Sequence, residues 1–254
     1  MNAIIVSDLH MGSHYFQSEA FAGFLNRLPD FDELILNGDV LDRPHVKLAP
    51  MHQQTFDRIE QLSYRHKVVW VRGNHDSGYM PQRLGRIEFC RRYLFNRQIL
   101  ITHGDDFDNI MPRSRIFMKA FRQMHDLRVR LGARPVHVAE YAKKWKSFYR
   151  VLRNGVMRNA VNFALESGYK AVTCGHTHFA EDLVSNGVRY INTGAWTELP
   201  ANYLYVTPKN MMLNRVDHTS PDSRGHHTAP NFSKNKAPSA DGSRLAAESG
   251  HGIF

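Results

Sequence analysis

This 254-residue sequence has little that would carry it across a membrane or staple it with disulfides. It holds no run of roughly 18 uncharged apolar residues, the length a membrane-crossing helix needs, so no such helix is expected. Its two cysteines, Cys90 and Cys174, are too few for a disulfide framework. Both lie in apolar surroundings, which favours a reducing, cytoplasmic setting. The segment Met1–Asp8 enters a strand-like pattern at once, without the basic start, apolar core and cleavage site of a secretory signal. No internal repeat is present, and no serine or cysteine stands beside a paired base, so a covalent intermediate is not favoured. The composition, 42% apolar and 22% charged, excludes a fully disordered or fibrous chain.

The first hundred residues alternate between two patterns. Short β-rich runs occur at Ala3–Ser7, Glu33–Leu36, Lys67–Val71 and Gln98–Thr102. Helical stretches lie between them, around Glu19–Leu28, Met51–Arg65 and Arg83–Tyr93. Strands alternating with helices predict βαβ units and an α/β fold with a largely parallel sheet. Strand signals return at Ala171–Cys174, Val188–Asn192, Tyr203–Val206 and Met211–Arg215, with Gly187 and Lys209-Asn210 suited to turns.

Acidic residues almost vanish from one block. Between Pro112 and Arg158 thirteen Lys and Arg face only Asp126 and Glu140, so this block exceeds the whole chain's net charge of +9. It reads as two or three helices broken near Gly132–Pro135 and Gly155, with Ile116, Phe117, Ala120, Phe121 and Met124 at helical spacing. Beyond His218, Ser, Pro, Gly, His and Asn dominate, and the segment 218–254 is expected to be disordered because it has too little apolar surface to offset its ordering entropy.

Polar residues gather where the expected strands end: Ser7-Asp8-Leu9-His10, Asn37-Gly38-Asp39-Val40-Leu41-Asp42, Arg72-Gly73-Asn74-His75-Asp76, Thr102-His103-Gly104-Asp105 and Cys174-Gly175-His176-Thr177-His178. In open α/β sheets, ligands bind at the carboxyl ends of strands. Asp8, Asp39, Asn74, His10, His103, His176 and His178 form an oxygen and nitrogen donor set without thiolate. Such a set suits manganese, iron or zinc rather than calcium or magnesium alone. Seven donors exceed what one ion takes, so two divalent ions bridged by one carboxylate are expected. Asp42, Asp105 and Asp108 are candidates to orient ligand imidazoles. The alternative for Asp106 and Asp108 is a solvated loop.

The order Asp-x-His, Gly-Asp-x-x-Asp, Gly-Asn-His-Asp, His, Gly-His-x-His resembles the calcineurin-like metallophosphoesterase superfamily. Within it, Ser7-Asp8-Leu9-His10-Met11-Gly12, Leu36-Asn37-Gly38-Asp39, His103-Gly104-Asp105-Asp106-Phe107-Asp108 and Asn192-Thr193-Gly194 resemble the UDP-2,3-diacylglucosamine diphosphatase branch, which acts in lipid A synthesis. The resemblance covers about residues 3–200. It implies an α/β/β/α sandwich with a basic helical insertion, a metallophosphoesterase domain over 1–217 with a lid at about 106–166. It implies one ion held by Asp8, His10, Asp39 and His178, and a second held by Asp39, Asn74, His103 and His176. His75 matches the superfamily's catalytic histidine, and Asp76 would orient it. The chain departs from the branch at His75, where many members have Arg, and at Ala195, where related sequences often have Asp.

The expected reaction is hydrolysis of a phosphoester or phosphoanhydride with two divalent ions, manganese foremost and iron or zinc as alternatives. The resemblance points to the pyrophosphate of UDP-2,3-diacylglucosamine, giving UMP and a lipid 1-phosphate. Broader phosphodiesterase or phosphomonoesterase activity is the second reading, which His75 keeps open. A non-catalytic scaffold for anionic lipid or RNA is the third. Arg113, Arg115, Lys119, Phe117 and Phe121 are the candidate lid residues facing substrate; the alternative is an ordinary helical hairpin with an apolar core face. The basic block suits an anionic, phosphate-containing or lipid-linked substrate and an anionic membrane surface, with peripheral placement on the inner membrane. Nucleic acid ranks lower, because no nucleic-acid motif is present.

Overall fold

The computed structural model describes residues 1–79, 84–110, 123–125, 127–133, 135–136 and 138–216. The candidate lid residues Arg113, Arg115, Phe117, Lys119 and Phe121, and the tail 218–254, lie outside the described residues.

Two sheets stack face to face, with helices on both outer sides. The first is ordered β11-β10-β1-β2-β3-β4, from β1 (Ala3–Val6), β2 (Glu33–Asn37), β3 (Lys67–Val71), β4 (Glu88–Cys90), β10 (Asn202–Val206) and β11 (Met211–Arg215). The second is ordered β5-β6-β7-β9-β8, from β5 (Arg92–Phe95), β6 (Ile99–Thr102), β7 (Ala171–Cys174), β8 (Glu181–Ser185) and β9 (Val188–Asn192). Strands β1 to β4 run parallel, as do β6, β7 and β9, while β10, β11, β5 and β8 add antiparallel borders. This is the expected α/β/β/α sandwich.

Strand periodicity sorts the core into layers. Ala3, Ile5, Ile35, Val69 and Val71 point inward and meet Phe95, Ile99, Ile101 and Ile191 of the second sheet. Their neighbours Ile4, Val6, Leu34, Leu36, Val68 and Trp70 point outward against α1 (Ser18–Leu25) and α2 (Pro50–Leu62). Successive side chains on a strand face opposite ways, so a strand buried on both faces is apolar throughout. The second sheet is covered likewise. Leu100, Val172, Cys174 and Tyr190 pack against Val156, Ala160, Val161 and Ala164. Those four belong to α4 (Lys146–Glu166), which follows the short α3 (Val138–Ala142).

Three expectations on elements need correction. No helix spans Arg83–Tyr93 among the described residues; β4 and β5 occupy its C-terminal part. There Ile87 and Phe89 alternate with Arg86 and Glu88, and this period of two puts the apolar pair on the outer core. Arg91 is the residue at which the chain leaves one sheet's edge and enters the other's. Gly155 does not break a helix, because α4 runs through it. The stretch 146–166, counted above with the insertion, is the helical layer over the second sheet.

Candidate metal centre

The loops after β1, β2, β3, β6 and β7 bring the expected ligands together from both sheets. Asp8, His10, Asp39, His103 and His178 are all buried. Their donor atoms form overlapping groups: Asp8 with His10 and His178, and Asp8 with Asp39 and His103, each within 4.8 Å. Five of the seven expected ligands adopt left-handed backbone: Asp8 at φ 54°, His10 at 50°, Asp39 at 50°, His176 at 62° and His178 at 54°. Each costs about 1–2 kcal/mol in a residue with a side chain. Such strain persists only where surrounding contacts over-determine it. Here the backbone N–H of His10 donates to the Asp39 carbonyl at 2.9 Å and that of Asp8 to the Gly38 carbonyl at 3.0 Å, lacing two adjacent loops.

The separations between donors fit shared cations. His178 Nε2 lies 3.1 Å from Asp8 Oδ1, His103 Nε2 3.2 Å from Asp39 Oδ2, and His176 Nδ1 3.1 Å from Asn74 Oδ1. His10 Nε2 and His178 Nε2 stand 3.2 Å apart. Two donors each about 2.1 Å from one ion, at right-angled to tetrahedral spacing, sit about 3.0–3.4 Å apart. His103 Nε2 is buried and faces the Asp39 carboxylate without a well-aligned hydrogen bond. Its other nitrogen, Nδ1, is occupied by the Asn37 carbonyl at 3.0 Å. A buried imidazole nitrogen left over in this way is where a metal ligand is expected. The residues therefore fit divalent ions, with Asp8 common to the two groups and Asp39 in the second.

Electrostatics point the same way. Burial pushes the Asp39 carboxyl up, but His103, His10 and His75 more than reverse this and hold it well below the usual range. Burial likewise raises Asp8, and His178 and His103 outweigh it. Burial opposes the charged form of His103, yet Asp39 and Asp8 drive its pKa well above the ordinary value. Two buried carboxylates thus create a field that favours positive charge, whether proton or metal.

The remaining expected residues are placed as follows. His75 is half-buried, with Nε2 4.0 Å from Asp39 Oδ2, and its ring meets that of His10 edge-on at 4.7 Å. Its Nδ1 lies 2.7 Å from the Asp42 carbonyl, so the ring's orientation comes from Asp42. Asp76 was expected to orient His75, and its carboxylate is engaged elsewhere. It accepts from the backbone N–H of Val40 at 2.7 Å and of Gly73 at 2.8 Å, and from Trp70 Nε1 at 3.1 Å. Asp76 therefore ties the Asp39 loop to the Asn74 loop. Asp42 Oδ1 is 3.5 Å from His10 Nδ1. Asp108 is buried, with Oδ2 2.9 Å from His176 Nε2. Asp105 and Asp106 instead accept from Arg91 Nη2, each at 2.6 Å.

Two supporting residues carried no assigned role in the sequence. Asn192 is fully buried, and its amide donates to the Gly175 carbonyl at 2.6 Å and Thr177 Oγ1 at 3.0 Å. It fixes the loop bearing His176 and His178 from inside. Tyr149 of α4 donates to the Thr177 carbonyl at 2.6 Å. The signal for Asn192 was its place at a strand end, like the ligands themselves; Tyr149 had none beyond helical spacing.

Comparison with known proteins gives one family and a set of remote structures. The sequence profile described as calcineurin-like phosphoesterase matches residues 1–180. A search of curated protein sequences finds no match. Similar solved structures include the phosphoesterase Yfce from E. coli, at 14% identity and TM-score 0.45, covering 85% of this chain and 100% of that one. A single mutant of Vps29 from Entamoeba histolytica is similar at 15% identity and TM-score 0.45, covering 86% and 100%. The nuclease MPE from Pseudomonas putida is similar at 16% identity and TM-score 0.42, covering 84% and 87%.

Proposed function

The chain belongs to the calcineurin-like phosphoesterase family, a family of metal-dependent hydrolases, and from that premise we propose that it cleaves the pyrophosphate of UDP-2,3-diacylglucosamine to UMP and a lipid 1-phosphate with two manganese ions. The observation that carries the metal chemistry is the buried His103 Nε2 set against Asp39 Oδ2 at 3.2 Å. Support for the substrate comes from the motif resemblance at Ser7–Gly12, Leu36–Asp39, His103–Asp108 and Asn192–Gly194. The basic segment supports an anionic substrate, and one of its described cations, Lys143, is paired with Glu198. The same segment suits an anionic membrane surface near the lipid product. No helix among the described residues is long and apolar enough to cross a membrane.

Asp8, His10, Asp39 and His178 would hold one ion, and Asp39, Asn74, His103 and His176 the other. When bound, such a pair supplies Lewis acidity that acidifies water and neutralises phosphate charge. His75 keeps Nδ1 on the Asp42 carbonyl, which leaves Nε2 facing the Asp39 side of the site. Because Nδ1 keeps its proton on that carbonyl, His75 would deliver a proton to the departing phosphate oxygen only from the doubly protonated ring, through Nε2. Arg113, Arg115, Lys119, Phe117 and Phe121 are proposed to contact the anionic and acyl parts of the substrate.

The test is UMP release from UDP-2,3-diacylglucosamine by manganese-loaded protein. Turnover that His75→Ala lowers roughly 100-fold or more supports the reading. If simple nucleotide diesters or phosphate monoesters react and the acylated sugar nucleotide does not, the substrate is wrong. A broad phosphodiesterase is then the reading that remains, favoured by His75 in place of the branch's Arg.

A further inference from the structure

His176 is flanked by oxygen on both sides. Its Nδ1 lies 3.1 Å from Asn74 Oδ1, and its Nε2 lies 2.9 Å from Asp108 Oδ2. A neutral imidazole has one N–H, so it donates to only one of these oxygens. The choice between them is set by charge, because a hydrogen bond to a buried carboxylate is roughly twice as strong as one to a neutral amide. The proton then belongs on Nε2, and the Nδ1 lone pair faces the Asn74 oxygen.

Asp108 is held ready for this role. The carboxylate is buried, and its other oxygen accepts from the backbone N–H of Ile110 at 2.8 Å. It directly follows a single 3-10 turn, Asp105–Phe107, which begins two residues after the ligand His103. That turn is pinned from α4, where Asn159 Nδ2 donates to the Phe107 carbonyl at 2.8 Å. The segment that delivers one imidazole of the second ion's group therefore also supplies the carboxylate behind another.

We propose that Asp108 is a positioning residue, which fixes His176 as the Nε2–H tautomer and so turns the Nδ1 lone pair toward Asn74 Oδ1. The proposal rests on the reading of Asn74, His103 and His176 as ligands of the second ion. By comparison, His103 is oriented by a backbone carbonyl, which no side-chain substitution removes. Asp108 is thus the point at which the second ion's affinity is tunable without touching a ligand.

The test uses the full chain with Asp108→Ala and Asp108→Asn, plus His176→Gln to assign the resonance. In metal-free protein at pH 8, nitrogen chemical shifts of labelled histidine report the tautomer. Nε2–H is expected for the native chain, a mixture for Asp108→Ala, and an intermediate position for Asp108→Asn, which keeps an acceptor oxygen. Manganese titration by calorimetry should show one of two sites lose about 10–100-fold in affinity in Asp108→Ala, with the other unchanged. Circular dichroism checks that the variants fold, and Asp108→Asn carries the test if Asp108→Ala does not. A native Nδ1–H tautomer overturns the proposal, as does a tautomer and second-site affinity indifferent to both substitutions. A native chain that binds fewer than two ions overturns the reading of the metal centre instead, and the tautomer shift still decides whether Asp108 positions the ring.

Discussion

A methyl group on Gly175 would enter the space of the Asp8 carboxylate and the Ser7 side chain. Both neighbours are buried and hydrogen-bonded, Ser7 to Thr193 and Asp8 to the backbone N–H of His176, so neither can give way. Gly175→Ala is expected to cost about 1–3 kcal/mol in thermal or denaturant unfolding and to lower metal content measured by emission spectrometry. The two thiols make a second residue-scale prediction. Burial pushes the Cys174 thiol far up and that of Cys90 up to about 11. The thiolate is the reactive form, so at pH 8 a colourimetric thiol reagent should label Cys174 only after unfolding, and Cys90 slowly in the folded chain. At this scale the site was readable because carboxylate, amide and imidazole recur at successive strand ends. What the sequence hid was side-chain direction. Asp76 and Asp105 stand beside ligands in the chain, yet one faces two backbone N–H groups and an indole, and the other faces an arginine.

The strands of the two cores were legible because burial on both faces makes them short and continuously apolar, as in Ile4-Ile5-Val6 and Val68-Val69-Trp70-Val71. Edge elements were less so. Strand β8 borders the second sheet, and its Glu181 and Asp182 are residues that strands disfavour. The readable signal there was Asn186-Gly187, both at positive φ, the turn that joins β8 to β9 as a hairpin. Helix α4 was legible as helix but not as core, because Arg150, Arg153 and Arg158 share it with the buried stripe Leu152, Val156, Ala160 and Ala164. Ala160 is fully buried in that stripe against the second sheet. Ala160→Leu should therefore destabilise the protein by about 1–3 kcal/mol, while Arg158→Ala on the same helix should stay within about 0.5 kcal/mol. Urea unfolding followed by circular dichroism compares them, and equal small effects would mean that α4 is not a core layer.

For the molecule as a whole, the expected ligands come from five loops on two sheets, so ions bound there would cross-link the halves of the sandwich. Anything that binds only the folded state stabilises it, by about 2.7 kcal/mol for each site at a free concentration 100 times its dissociation constant. Chelation should lower Tm, and added manganese should restore it. In Asp39→Asn, which removes the carboxylate proposed to bridge the ions, Tm should no longer respond to manganese.

Asn74 and His176 are 102 residues apart in the chain, and Asp8 and His176 are 168 apart. On the ribosome, the first four donors emerge well before the last two. At about 5–20 residues per second the wait between Asn74 and His176 is roughly 5–20 s. Until His103 is made the nascent polypeptide displays its carboxylates with three of the four expected imidazoles missing, and from His103 to His176 with two missing. A chain cut short before His176 would therefore lack two of the seven expected donors, so the complete donor set arrives only after nearly the whole domain has been synthesised.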